Sequence, residues 1–171
     1  MWLLDSATKA WAQKADASVF PTHGPDSNTM VYDGTEGANR LLLFANADPG
    51  QVLAYDVATD VVTALDPAGN DAIAPNFWRE SALLSEERLV VLGTTADFGD
   101  AVARTPVYDV AENRWYGYRF APDELQASTR FYEVSLGLMA DDARDIVWAM
   151  NTNSELFVLR LRKATADKLA P

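Results

Sequence analysis

One short pattern recurs four times along this chain, and its spacing limits the folds available to it. The copies are Trp2-Leu-Leu-Asp-Ser-Ala-Thr-Lys-Ala-Trp11, Leu53-Ala-Tyr-Asp-Val-Ala-Thr-Asp-Val-Val62, Val107-Tyr-Asp-Val-Ala-Glu-Asn-Arg-Trp115 and Val158-Leu-Arg-Leu-Arg-Lys-Ala-Thr-Ala166. Aligned on Asp5, Asp56, Asp109 and Arg160, they are separated by 51, 53 and 51 residues. A repeat of that period signals units that each fail to bury their own apolar face and must stack on one another. Each copy reads as a hairpin. An apolar strand ends at the Asp, whose carboxylate can accept hydrogen bonds from the backbone N–H groups of the following turn. Six residues later stands Trp11 or Trp115, with Val62 and Ala166 in the other copies. A large apolar residue there is predicted to wedge between neighbouring units.

A second block precedes each of the last three hairpins: Met30 to Phe44, Ala82 to Leu92 and Gly137 to Trp148. Each contains a short apolar strand, an acidic or Gly-rich turn, an Arg (Arg40, Arg88 or Arg144) and a continuous apolar strand. Continuous apolar runs suit strands buried on both faces. The prediction is an all-β chain of blades, each of four antiparallel strands. It comprises a half blade over 2–13 and three full blades near 28–66, 80–118 and 134–170, within a single domain over 1–171. The linkers 14–27, 67–79 and 119–133 are rich in Pro, Ala and Asp, as surface crossovers are. The longest connection inside a unit runs from Thr94 to Thr105. No long helix is predicted; Asp123 to Ala127 has room for a single turn.

The run Val31-Tyr-Asp…Asn39-Arg-Leu-Leu-Leu-Phe44 followed by Tyr55-Asp-Val-Ala-Thr59 resembles the bacterial kelch-type blade, similar to the propeller of galactose-oxidase-like proteins, across nearly the whole chain. The family's Gly-Gly after the second strand is replaced by Phe44-Ala45-Asn46, Leu92-Gly93-Thr94 and Trp148-Ala149-Met150, so only Gly93 is retained. The resemblance implies a partial β-propeller. Closed propellers have about four to eight blades. Three and a half therefore call for completion, by further blades of a longer chain, by a second copy in a homodimer, or by a partner chain.

Composition narrows the function classes. Hydrophobic residues make up 49% of the 171, enough for a sizeable core. The net charge of −11 repels phosphate backbones, so no nucleic-acid partner is expected. No apolar run reaches the roughly 20 residues of a membrane span. Residues Met1-Trp-Leu-Leu-Asp5 have no basic region and are not expected to act as a signal peptide. Cysteine is absent, which excludes disulfides, thiolate metal sites and cysteine nucleophiles. The compartment is not determined, although acidity and the kelch-like pattern lean towards an exported bacterial protein.

With one histidine, His23, the chain cannot assemble a His-rich metal site, nor the two-His copper site and Cys–Tyr crosslink that the resemblance to galactose oxidase would imply. No Gly-x-Ser-x-Gly nucleophile elbow is present. Carboxylates such as Asp48, Asp97, Asp100, Asp123, Glu124, Asp141 and Asp142 could pair for glycoside hydrolysis, but turn capping and solubility account for them more simply. No cofactor is expected, apart from weak calcium binding at the turn Ala47-Asp-Pro-Gly50. Propeller ligands sit near the axis, where linkers enter the innermost strands. The residues placed there are Asp26 and Asn28, then Trp78, Arg79 and Glu80, then Arg130, Tyr132 and Glu133. Aromatic surface, guanidinium forks and carboxylates suit sugars, carboxylates or peptides; the competing reading has the aromatics packing between blades while the charges pair. The expected function is a non-catalytic scaffold that binds a protein or glycan ligand. Two alternatives stay open: a fragment of a propeller enzyme acting on glycans as hydrolase or lyase, and a structural subunit that assembles through open blade edges.

Overall fold

The computed structural model describes residues 2–14, 28–45, 51–69, 80–93, 96–97, 103–118, 137–150, 154, 156–161 and 167–168. They form an all-β fold. A hairpin of β1 (Trp2–Leu4) and β2 (Trp11–Gln13) stands as its own two-stranded sheet. The first full sheet is an antiparallel meander of β3 (Asn28–Asp33), β4 (Arg40–Ala45), β5 (Val52–Asp56) and β6 (Val61–Leu65). The second contains β7 (Ser81–Leu84), β8 (Leu89–Leu92), β10 (Ala103–Asp109) and β11 (Arg114–Tyr118), with β9 (Ala96–Asp97) pairing the start of β10. The third contains β12 (Gly137–Asp141), β13 (Ile146–Met150) and β14 (Leu156–Leu159). Two short 3-10 turns, Thr35–Gly37 and Asp142–Arg144, lie between the first two strands of the first and third sheets.

The repeated hairpin owes its shape to its Asp. Oδ1 of Asp5 accepts from the N–H groups of Ala7 and Thr8 at 2.8 and 3.1 Å. Asp56 does the same for Ala58 and Thr59 at 2.9 and 2.7 Å, and Asp109 for Ala111 and Glu112 at 2.9 and 2.8 Å. Each turn then closes through a left-handed residue: Lys9, Asp60 and Asn113 have φ of 57°, 60° and 48°. Asn and Asp enter that region at lower cost than other non-glycine residues. In two copies the Tyr before the capping Asp reinforces it, Tyr55 donating to Oδ1 of Asp60 and Tyr108 to Oδ1 of Asn113, both at 2.8 Å.

The sheets stack face to face through two apolar interfaces. Val31, Leu42, Phe44, Val52 and Ala54 of the first sheet meet Val90, Leu92, Tyr108, Val110 and Trp115 of the second. On its other face, the second sheet presents Ala82, Leu84, Leu89, Val91, Val107, Tyr116 and Tyr118 to Val147, Ala149, Leu159 and Leu161 of the third. Strand β8 therefore sends alternate residues of Leu-Val-Val-Leu into different cores and is buried at every position, as its continuous apolar run predicts. Trp115 is the interface wedge expected from the repeat, 1% exposed and edge-on to Phe44 at 5.9 Å. Gly93 allows the third sheet its close approach, since a Cβ there would meet Leu138 Cδ1 and Glu80 Cβ at 3.2 Å.

Several details differ from the repeat as read from sequence. The three arginines do not occupy equivalent places. Arg40 opens β4 opposite Asp33, Arg88 is the last turn residue before β8, and Arg144 lies within a 3-10 turn. In the third unit, residues 162–166 lie outside the described residues. Asp167–Lys168 form β15 and pair with Gly117 and Tyr116 of β11, as an edge strand of the second sheet rather than beside β14. Earlier on the same strand, Ala68 bonds to Asn113 O and Trp115 N at 3.0 and 2.9 Å. Short segments from both neighbours thus line the outer edge of β11, which blunts an edge that would otherwise template foreign strands. Asn113 is central here, because its Nδ2 also donates to Asp66 O at 3.2 Å. Replacing Asn113 with Ala should lower unfolding free energy by about 2–3 kcal/mol, through two lost hydrogen bonds and a disfavoured backbone region. Asn113→Gly, which restores only the backbone freedom, should recover about 1 kcal/mol of that. Urea unfolding midpoints of the two variants against the parent chain check both values.

Candidate functional site

Of the eight residues expected to line an axial site, Asp26, Trp78, Arg79, Arg130, Tyr132 and Glu133 lie outside the described residues, as do His23 and the 47–50 turn. Asn28 opens β3, and Glu80 immediately precedes β7, half-buried, with its carbonyl accepting from Gly93 N at 2.9 Å. The structure brings these two strand starts together. Thr29 and Ser81, the residues next in sequence, share a hydrogen bond between hydroxyls at 2.7 Å, and Ser81 Oγ also donates to Met30 O. β7 in turn lies between β3 and β12. The innermost strands of all three sheets are therefore neighbours.

Two further features carry chemistry that the motifs did not single out. The first is a charged cluster at the end of β3. Asp33 is fully buried and accepts from Arg40 Nε at 2.9 Å, from Thr35 Oγ1 at 2.5 Å and from Thr35 N at 3.2 Å, while Arg88 Nη2 approaches to 3.9 Å from the second sheet. Burial pushes the Asp33 carboxyl up, but the Thr35 hydroxyl, the Arg40 guanidinium and the Thr35 N–H outweigh it and hold the group below its ordinary range. Tyr108, 1% exposed, sits in the same field. Burial first, with the charges of Asp109 and Asp33 adding and those of Arg40 and Arg88 opposing, pushes its hydroxyl up to about 12. Burial and then the hydrogen bond to Asp60 push Tyr55 to about 12 as well. Asp33 is held by Thr35 and Arg40 of its own sheet, and the Arg88 guanidinium of the second sheet faces the same carboxylate across the interface at 3.9 Å. The sequence signal for it was Asp33 itself, a carboxylate on an inward-facing position of a strand.

The second feature is the outward face of the third sheet. Met139, Met150, Leu156 and Val158 are 62%, 37%, 63% and 52% exposed. With Trp148, Leu138, Ala149 and Gly137, the first three line an open groove of about 200 Å³. The groove residue Trp148 donates its indole N–H to Asp141 Oδ2 at 3.5 Å, and the same oxygen accepts from Arg144 at 2.8 Å. The Arg144 bond is the main reason the Asp141 carboxyl lies below its ordinary value. Among the described residues, no group of three or more His, Cys, Asp or Glu gathers to hold a metal ion. None of their helices is long and apolar enough to cross a membrane. No protein-family model matches the chain, and no curated protein matches it.

These shifts make the stability of the fold depend on pH. Asp33, with Asp5, Asp56 and Asp141, is depressed in the folded chain. Its contribution is therefore full above the ordinary carboxylate value of about 3.9 and is lost as pH falls through the lower folded value. Tyr55 and Tyr108 are raised, so theirs is full below about pH 10 and fades as pH climbs towards about 12. Urea midpoints should form a plateau between those limits and fall on both sides. Arg40→Met should cost about 2–4 kcal/mol at neutral pH by leaving Asp33 buried with one distant guanidinium, and should move the acid limb to higher pH in the same titration.

Proposed function

We propose that this chain is a non-catalytic β-propeller scaffold of the kelch type that binds a protein or a glycan, its ring completed by further blades or by association of chains. The observation that carries this reading is the face-to-face stack of antiparallel sheets whose first strands, β3, β7 and β12, are neighbours. Sheets that touch along their first strands and bury apolar faces against one another are the elements from which a propeller is built. The ligand surface in this reading is the end of the stack where those strands begin. Asn28 and Glu80 belong to it, and the adjoining linkers add Asp26, Trp78, Arg79, Arg130, Tyr132 and Glu133. Trp78 and Tyr132 offer flat apolar surface to a sugar ring or a side chain, and Arg79 and Arg130 offer paired donors to carboxylates.

Two measurements test the proposal. Negative-stain electron microscopy of the purified protein should show a ring, or an arc of one curved about its first strands; a straight, uncurved stack of sheets would remove the propeller reading. Glycan and peptide arrays should give a ligand whose affinity falls at least about tenfold in Trp78→Ala or Arg130→Ala, with unchanged melting temperature. Binding indifferent to both substitutions would place the ligand elsewhere.

A further inference from the structure

The three sheets obey one register rule, and the third leaves it unfinished. Leu42 lies opposite Val31 and Ala54, Val91 opposite Ala82 and Val107, and Trp148 opposite Met139 and Val158. These three triplets occupy the same place in successive sheets, on the face turned towards the next sheet in the sequence. In the first and second sheets every member is at most 8% exposed, because the following sheet covers it. In the third, Met139 and Val158 are more than half exposed and Trp148 is only half-buried. The neighbouring positions continue the pattern. Phe44 lies opposite Val52 in the first sheet, both buried, and Met150 lies opposite Leu156 in the third, both exposed.

Inside the chain, the surface that covers such a face comes in part from the outer hairpin of the next sheet. Tyr108, paired with Trp115 across β10 and β11, places both rings edge-on to Phe44 at 5.8 and 5.9 Å. The β1–β2 hairpin repeats that unit. Leu4 and Trp11 are paired in the same positions relative to the same Asp-capped turn. Together with Trp2 on the same side, they are 47%, 63% and 60% exposed. One chain thus displays an uncovered face and an unused copy of the element that covers such faces, both open to solvent.

We propose that the β1–β2 hairpin of one copy docks on the outward face of the third sheet of a second copy, with Trp11 seated over Met150 as Trp115 is seated over Phe44. Methionine sulfur and thioether carbons make favourable contacts with an indole ring. Because the two surfaces differ, the contact is head-to-tail, and it either closes a ring or propagates. Each copy carries a net charge of −11, so the contact is an apolar one formed against repulsion, and it should tighten as added salt screens the charge. The inference deepens the assembly part of the proposed function and names its partner. An open filament would keep this contact while removing the ring, and a monomer would remove the contact while leaving the ligand-binding reading intact.

Sedimentation velocity from about 1 to about 100 µM should show mass-action association, stronger at higher salt. Trp11→Glu and Leu156→Glu should each weaken it at least about tenfold. Both side chains are already exposed, so circular dichroism and melting temperature should hold. The decisive arm mixes the two variants. Each retains one intact surface, so an equimolar mixture should recover a heterodimer that neither forms alone, and that does not grow further. A monomer across the range would overturn the proposal, and so would association sensitive to only one of the two substitutions, which would mean a like-to-like contact.

Discussion

Leu89, Val90, Val91 and Leu92 point alternately to opposite sides of one strand, and both sides are covered. Burying a strand on both faces leaves it no solvent side. The sheet that contains it exists in this form only while a neighbour lies on each face. Burial of a Val or Leu side chain stabilises by about 1.5–3 kcal/mol, so these four residues alone tie the second sheet to both others. The Asp33 cluster, the Thr29–Ser81 bond and the edge contacts of β11 then fix how the sheets meet rather than whether they do.

Much of the fold was legible because its turns are chemically explicit. An Asp that caps two N–H groups, and a left-handed closing residue that is Asp or Asn in two copies, leave a visible mark at constant spacing. The continuous apolar strand β8 was legible as doubly buried for the same reason that an alternating strand is legible as half-buried, whereas β4 and β13, read the same way, are not buried at every position. Two things were not legible. The pairing of β15 with β11 joins residues some fifty positions apart through two register pairs, and a two-residue strand has no periodicity to read. The common Arg of the second block was a sequence likeness without a structural one, because the turn before β4 is longer than those before β8 and β13, and in the latter two the arginine takes different turn positions.

The candidate site divides in the same way. Asn28 and Glu80 were placed near each other by counting strands from the repeat, and the hydroxyl bond between Thr29 and Ser81 joins the two strands beside them. Asp33 went unremarked although it stood within the repeated block. Its hydrogen-bond partners Thr35 and Arg40 are local, but the approach of Arg88 comes from another sheet at a separation that no local spacing encodes. Interface chemistry between repeats is the part of such a chain that a repeat alignment hides, since alignment compares what units share and not what they exchange.

The short pairing of Asp167–Lys168 with β11 bears on how the molecule comes apart. The third sheet lies between two attachments to the second: the apolar face contributed by β12, β13 and β14, and the strand that returns to β11. To separate, it must open a loop at both ends, so the second and third sheets should exchange amide hydrogens as one cooperative unit. The first sheet is joined to the second by its face, by the Asp33 and Thr29 contacts and by the Ala68 bridge. Strand β11 is thereby the point where both neighbours are tied to the second sheet by backbone as well as by apolar faces, so loss of that one strand would release all three sheets together.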